Sequence, residues 1–214
     1  MLSGDLSVHL LRSSAKELSA YEAHLSDYLA EQMALRAGRV VSPAERRSWS
    51  RSIPALRADL MDAGLGDVEV LLEYQLPLTS KRADVVLAGR HPQTGHPSYL
   101  VVELKQWGAA ERFENSDTLV RVEQYGERPV THPCEQVRGY VDYLRDFTTV
   151  LAERPHELAG AAYLHNANEL GVADLMAMQQ PSADAPIRMF TGQRRSDFVE
   201  FLRSRFVPRV SGAE

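Results

Sequence analysis

A chain of 214 residues and 23.9 kDa, 44% hydrophobic and 25% charged, has the make-up of one globular domain, or a domain with an appendage, and can bury a sizeable core. Its net charge of −5 gives no global attraction to nucleic acid, so any such binding must rest on local basic patches and metal ions. There is no apolar run of about 18 residues and no signal-peptide pattern at the N-terminus, and Cys134 is the sole cysteine. These features exclude an internal disulfide and a cysteine-based zinc site, and they predict a cytoplasmic protein without membrane contact.

Residues 17–35 place Leu18, Tyr21, Leu25, Tyr28, Leu29 and Met33 three and four apart, which predicts an amphipathic helix. Residues 1–41 are read as an N-terminal helical segment, and 42–210 as the main domain. A second helix opens at "SPAE", with Ser42 as N-cap, Pro43 at the first helical position and Glu45 closing a capping box. Pro54 is expected to kink or divide that helix, and Gly64 to end it. From Asp67 the period shortens. "DVEVLLEYQLPL", "ADVVL" and "YLVVELKQW" are short apolar runs separated by turn-rich links, which predicts a three-strand antiparallel meander covered on both faces. Residues 107–131 read as a long functional loop in which "TLVRVEQYG" supplies a small strand. A helix follows from Pro133, with Val137, Tyr140, Val141 and Leu144 inward. "ELAGAAYLH" is a fourth core strand, "IRMF" an edge strand, and Ser196–Phe206 a closing helix. The class is α/β: helix, three-strand meander, helix, strand, with added helices at both ends.

Lysine occurs only at Lys16, Lys81 and Lys105, whereas arginine supplies the other 21 of the 24 basic residues. Lys105 stands two after Glu103 on an apolar strand, so the two side chains share a face. Asp84, on the preceding strand, can lie across from Glu103. Two neighbouring carboxylates repel and resist desolvation, and a hard divalent ion relieves both; Mg²⁺ or Mn²⁺ suits a site of two carboxylates completed by water and phosphate. A lysine there supplies a compact, tunable charge that arginine does not.

Asp84 followed by "ELK" at Glu103–Lys105 resembles the signature of the PD-(D/E)XK, or restriction-endonuclease-like, nuclease superfamily. Gln136 and Tyr140, in "HPCEQVRGYVDYL", match the Gln-x-x-x-Tyr pattern that several branches carry in the following helix. More closely, "LLEYQLPLTSKRADVVLAG", "VVELKQW" and "AAYLHN" resemble the N-terminal nuclease-like domain of bacterial proteins that continue into a Schlafen-type helicase. That likeness spans roughly residues 45–205, and no GxxxxGK[ST] phosphate loop accompanies it. The loosely kept proline before the aspartate is Ala83 here.

The resemblance implies a Mg²⁺- or Mn²⁺-dependent nuclease acting on DNA, with RNA as the alternative, in defence against foreign nucleic acid or in DNA repair, and with a helicase domain as a potential partner. Asp84 and Glu103 would hold the metal, and Lys105 would position the attacking water. Gln136 and Tyr140 would support them, and Glu73 is preferred over Glu22 and Glu31 as a supporting carboxylate. Arg82, Gln136 and Trp107 are candidate nucleic-acid contacts. Arginines clustered at 36–57 and 188–209 could follow a phosphate backbone, while His91, His96 and His132 read as turn residues and His165, Asn166 and Asn168 as capping or turn groups. The competing readings are a nucleic-acid-binding or helicase-regulating module with weak cleavage, and a protein-interaction domain with no nucleic-acid role. Oligomeric state has no signature.

Overall fold

The computed structural model describes residues 9–126, 128–178 and 187–208. Among them the chain is mixed α/β, with nine strands and six α-helices. In order these are β1 (Leu11–Ser14), α1 (Leu25–Ala37), α2 (Pro43–Asp62), β2 (Glu69–Gln75), β3 (Arg82–Arg90), β4 (Pro97–Lys105), β5 (Glu111–Arg112), β6 (Leu119–Arg121), β7 (Val130–Thr131), α3 (Pro133–Phe147), α4 (Thr149–Glu153), β8 (Leu158–Leu164), α5 (Ala173–Met178), β9 (Ile187–Thr191) and α6 (Arg195–Arg205). Six strands form one open mixed sheet in the order β1-β2-β3-β4-β8-β9; β5, β6 and β7 form a small second sheet. The expected meander is present as β2–β3–β4, antiparallel throughout. β8 joins β4 in parallel after a crossover that carries α3, and β9 joins β8 in parallel after one that carries α5.

Two departures from the sequence reading lie near the start. Leu11–Ser14 is a strand, paired with β2 at the edge of the main sheet. The stripe over 17–35 is split into a 3-10 turn at Glu17–Tyr21 and α1, with His24 between them as the α1 N-cap. Leu10, Leu18, Leu29 and Met33 enter the same buried cluster as Leu56, Val85 and Phe198. The capping at Ser42 is as expected: its hydroxyl accepts the Glu45 N–H at 3.2 Å. The Glu45 carboxylate, however, turns to Arg39, at 2.6 and 2.9 Å. α2 runs through Pro54 as one helix.

The sheet separates two cores. Over one face α1, α2 and α6 bring Met33, Trp49, Ile53 and Phe198 onto Val85, Leu87, Leu100 and Val102. Over the other, α3 and the small sheet bring Val120, Val137 and Val141 onto Val86, Val101 and Ala162. Small residues in β8 let α3 come close. A Cβ on Gly160 would stand 2.3 Å from Val137 Cγ1 and 2.7 Å from Ile187 Cδ1, so glycine fixes the depth at which α3 meets the sheet. α6 ends with Phe206 against Gly89, where a Cβ would stand 2.8 Å from Phe206 Cδ1, and the Val207 N–H bonds the Arg90 carbonyl at 2.9 Å.

Candidate active site

β3 and β4 pair regularly from Arg90↔Pro97 as far as Val85↔Val102, and there the ladder stops. One position further on, Asp84 faces Glu103. The Leu104 N–H, which a regular ladder would give to a backbone carbonyl, is donated instead to Asp84 Oδ2 at 2.8 Å. On the other side of β3 the ladder with β2 pairs Leu72↔Val85 and Tyr74↔Ala83 but omits Glu73, whose φ is +52°. A non-glycine residue in that region is strained by about 1–3 kcal/mol. The strain changes which way the strands face. Leu72 and Val85 belong to the α2 side of the sheet, whereas Tyr74 and Ala83, two residues along, belong to the α3 side. β2 and β3 therefore turn together at Glu73 and Asp84 and part from β4.

That parting opens a cleft of about 810 Å³, lined among others by Glu73, Arg82, Asp84, Glu103, Lys105 and Tyr125. Glu103 is buried, with 2% exposure. Its Oε1 accepts from Lys105 Nζ at 2.6 Å and from Gln136 Nε2 at 2.7 Å. Gln136 Oε1 in turn accepts from Lys105 Nζ at 3.2 Å, and Gln136 Nε2 also donates to the Tyr140 hydroxyl at 2.8 Å. The four-residue spacing on α3 puts Gln136 and Tyr140 on one helical face, as expected from the sequence. Glu103 Oε2 is buried without any hydrogen-bond partner. A buried, unpartnered carboxylate oxygen is costly, and it marks a place where a ligand can bind.

The electrostatics point the same way. Burial, and after it the neighbouring Glu103, push the Asp84 carboxyl well above the ordinary carboxylate range. Burial lifts Glu73 to about 7, although the Trp49 indole N–H, 2.7 Å from Oε1, pulls in the other direction. Burial works against the charge on Lys105, but Glu103 and Asp84 outweigh it, so the ammonium is held more firmly than in water. The Tyr140 phenol, pushed up to about 12 by burial and then by Glu103, stays neutral.

Asp84, Glu103, Lys105, Gln136 and Tyr140 are thus brought together, and Glu73 joins them from the adjoining strand. Glu22 and Glu31, the other carboxylates considered for support, stay away from the cleft: Glu22 lies 3.8 Å from Arg57, and Glu31 is exposed. Arg82 holds the turned strand in place by donating to the Glu73 carbonyl and to Gln75 Oε1, both at 2.9 Å. Trp107 is 3% exposed, with Lys105 Nζ 5.3 Å from its ring centroid; it packs beneath the lysine and presents little ring to a ligand. The exposed aromatic is its neighbour Tyr125, which sequence reasoning missed because a lone tyrosine in a loop carries no periodicity. His132 caps α3 through Nδ1 and meets the Leu175 carbonyl through Nε2, and His165 Nε2 lies 2.9 Å from Ser52 Oγ.

Among the described residues no group of three or more His, Cys, Asp or Glu side chains is placed to hold a metal ion. The two carboxylates at the strand parting nevertheless fit a hard divalent cation. They sit side by side and share one nearby ammonium, Lys105, which pairs with Glu103 Oε1, while Glu103 Oε2 is buried without a hydrogen-bond partner. Mg²⁺ commonly uses one or two protein carboxylates and keeps water and phosphate as its other ligands. No described helix is long and apolar enough to cross a membrane. The chain matches no protein-family model, no curated protein and no solved structure.

Proposed function

We propose that this chain is a metal-dependent nuclease that hydrolyses phosphodiester bonds in nucleic acid, with DNA the preferred substrate and RNA the alternative. The observation that carries this reading is the unpartnered Glu103 Oε2 beside Asp84, next to a lysine held as an ammonium, at the mouth of a cleft. The order α2, β2–β3–β4, α3, β8 supports a restriction-endonuclease-like core.

Asp84 and Glu103 are the residues that would hold Mg²⁺ or Mn²⁺, which when bound lowers the pKa of water and offsets the charge of the phosphate. Lys105 Nζ has three N–H groups. One goes to Glu103 and one to Gln136, which leaves the third for the attacking water or a phosphate oxygen. Because the ammonium is held protonated, Lys105 orients the water and stabilises developing negative charge; it does not take the proton. Gln136 fixes Glu103 and Lys105 with the two ends of one amide, and Tyr140 steadies Gln136. Hydrolysis joins the water oxygen to phosphorus and breaks the bond to a bridging oxygen, which leaves with a proton.

The test is cleavage of labelled single- and double-stranded DNA and RNA with Mg²⁺, Mn²⁺ or EDTA, by wild type and Lys105→Ala. Cleavage that needs the metal and disappears in the variant is the expected result. A folded protein that binds these probes but cuts none of them would overturn the nuclease reading in favour of a binding module.

A further inference from the structure

The cleft is charged unevenly. Its cationic side chains come from α2, from Arg39 in the link before it, and from the sheet beneath. Arg47 and Arg51 project from α2 four residues apart, both exposed, and among the described residues neither has an acidic partner. Like charges at that spacing weaken an isolated helix slightly, so the fold gives no reason for the pair. Ala44, Ser48 and Ser52, small side chains on the same stretch of α2, line the cleft beside them. Glu45, the acid on this side, is taken up by Arg39.

The contribution from the segment between β4 and α3 is different in kind. Gln106, Trp107, Gln124 and Tyr125 line the cleft from there, and none is charged. Tyr125 is 46% exposed. Its ring is braced edge-on against Trp107, with centroids 6.2 Å apart and planes at 80°, and Trp107 lies beneath Lys105. A rigid aromatic ring therefore stands in solvent, connected through one side chain to the Lys105 ammonium. Tyr125 also lines a second recess of about 540 Å³ with Arg128 and Val130, so it stands between two hollows.

A duplex offers phosphates on both of its edges and keeps its bases inside. A single strand offers phosphates along one edge and open base faces along the other. One cationic side and one aromatic, amide-bearing side match the single strand, and stacking on aromatic rings is how such strands are held without regard to sequence. A hollow of about 810 Å³ has the capacity of a small-ligand pocket, which admits a few nucleotides and not the body of a duplex.

We propose that the cleft binds a single strand of nucleic acid, its phosphates along Arg47 and Arg51 and one base stacked on Tyr125. The inference rests on the nuclease reading only for placing the scissile phosphate at Asp84 and Glu103; binding stands apart from it. The decisive measurement is fluorescence anisotropy in EDTA with a labelled single-stranded DNA, the matching RNA and the DNA duplex. Wild type, Tyr125→Ala, Tyr125→Phe and Arg47→Ala/Arg51→Ala are compared across a salt series, and their melting is recorded as a check on folding. We expect single strands to bind at least about ten-fold tighter than the duplex. Tyr125→Ala should weaken them roughly ten-fold or more and Tyr125→Phe should restore them, because one stacked base accounts for a loss of that size. The double arginine variant should weaken all single strands and reduce the salt slope by about 0.7 for each phosphate that is no longer neutralised. Comparing DNA with RNA settles which sugar the strand carries. Duplex binding as tight as single-strand binding, unchanged affinity in Tyr125→Ala, or no binding to any probe would overturn the inference, even in a protein that cleaves. Single-strand preference in a protein that never cleaves would leave it standing and remove the nuclease reading.

Discussion

The two ends of the β3–β4 pairing are built from the same kinds of strand and serve opposite purposes. From Arg90↔Pro97 to Val85↔Val102 the ladder is regular, and its buried side chains are Val85, Val86, Leu87, Leu100, Val101 and Val102, divided between the two cores, with Ser98 the one buried polar group. Beyond it Asp84 and Glu103 come at the next position and Lys105 two residues later, a backbone N–H is given to a side chain, and Glu73 adopts a left-handed backbone. The regular end is arranged for stability. The parted end gives up stability to two close carboxylates and a strained residue, where the proposed site lies.

The sharpest way to test that contrast is to cut the two ends separately. Lys105→Ala should lower the specific activity of the folded fraction roughly 10²–10³-fold, the scale of losing one group that stabilises transition-state charge, and it should also cost stability because buried Glu103 loses its ion-pair partner. Lys105→Arg should not rescue it. Leu100→Ala, at a fully buried position of the regular end, should affect stability alone: about 2–5 kcal/mol lost in denaturant titration, with specific activity of the folded fraction unchanged. Loss of specific activity in the folded fraction of Leu100→Ala would break the contrast.

A pH series in EDTA comes next. Glu73 has an ordinary value of 4.5 and is lifted to about 7 by burial, with Glu45 and Glu103 adding to the lift and Trp49 and Arg82 opposing it. The folded protein thus binds this proton more tightly than the unfolded chain does. Its contribution is complete below about pH 4.5 and is lost as the pH climbs to about 7, a difference of up to about 3 kcal/mol. Stability should therefore fall from pH 5 to pH 8, and Glu73→Gln should remove part of that fall, Asp84, raised by burial and by Glu103, keeping the rest. The smallest effect is expected at Tyr140→Phe, which keeps the packing of α3 and removes only the acceptor for Gln136. It should change stability by about 1 kcal/mol or less and cleavage by a few-fold, measured as kcat against KM.

Periodicity made the regular end legible. Alternating and continuous apolar runs mark β2, β3, β4 and β8 because packing on two faces demands them, and Gln136 with Tyr140 follows from helical spacing. The parted end was legible only as residue types. Asp84 and Glu103 could be placed on facing strands, but the turn of β2 and β3 at Glu73 depends on a positive φ for which glutamate has no propensity. β1 was missed because four residues, "LRSS", take their strand from pairing with β2 and not from any pattern of their own. Trp107 stood out as the larger aromatic beside the lysine, yet its size is what buries it, and the smaller Tyr125 is left at the rim.

Both the first and the last described elements are fastened to one hairpin. β1 adds its edge to β2, while Phe206 seats on Gly89 of β3 and Val207 bonds to Arg90. The same hairpin carries Glu73 and Asp84, and at that end its tie to β4 is a side chain, Asp84 Oδ2 accepting the Leu104 N–H, in place of the backbone ladder. The placement of Glu73 and Asp84 is therefore set by contacts that the first and the last described elements both make.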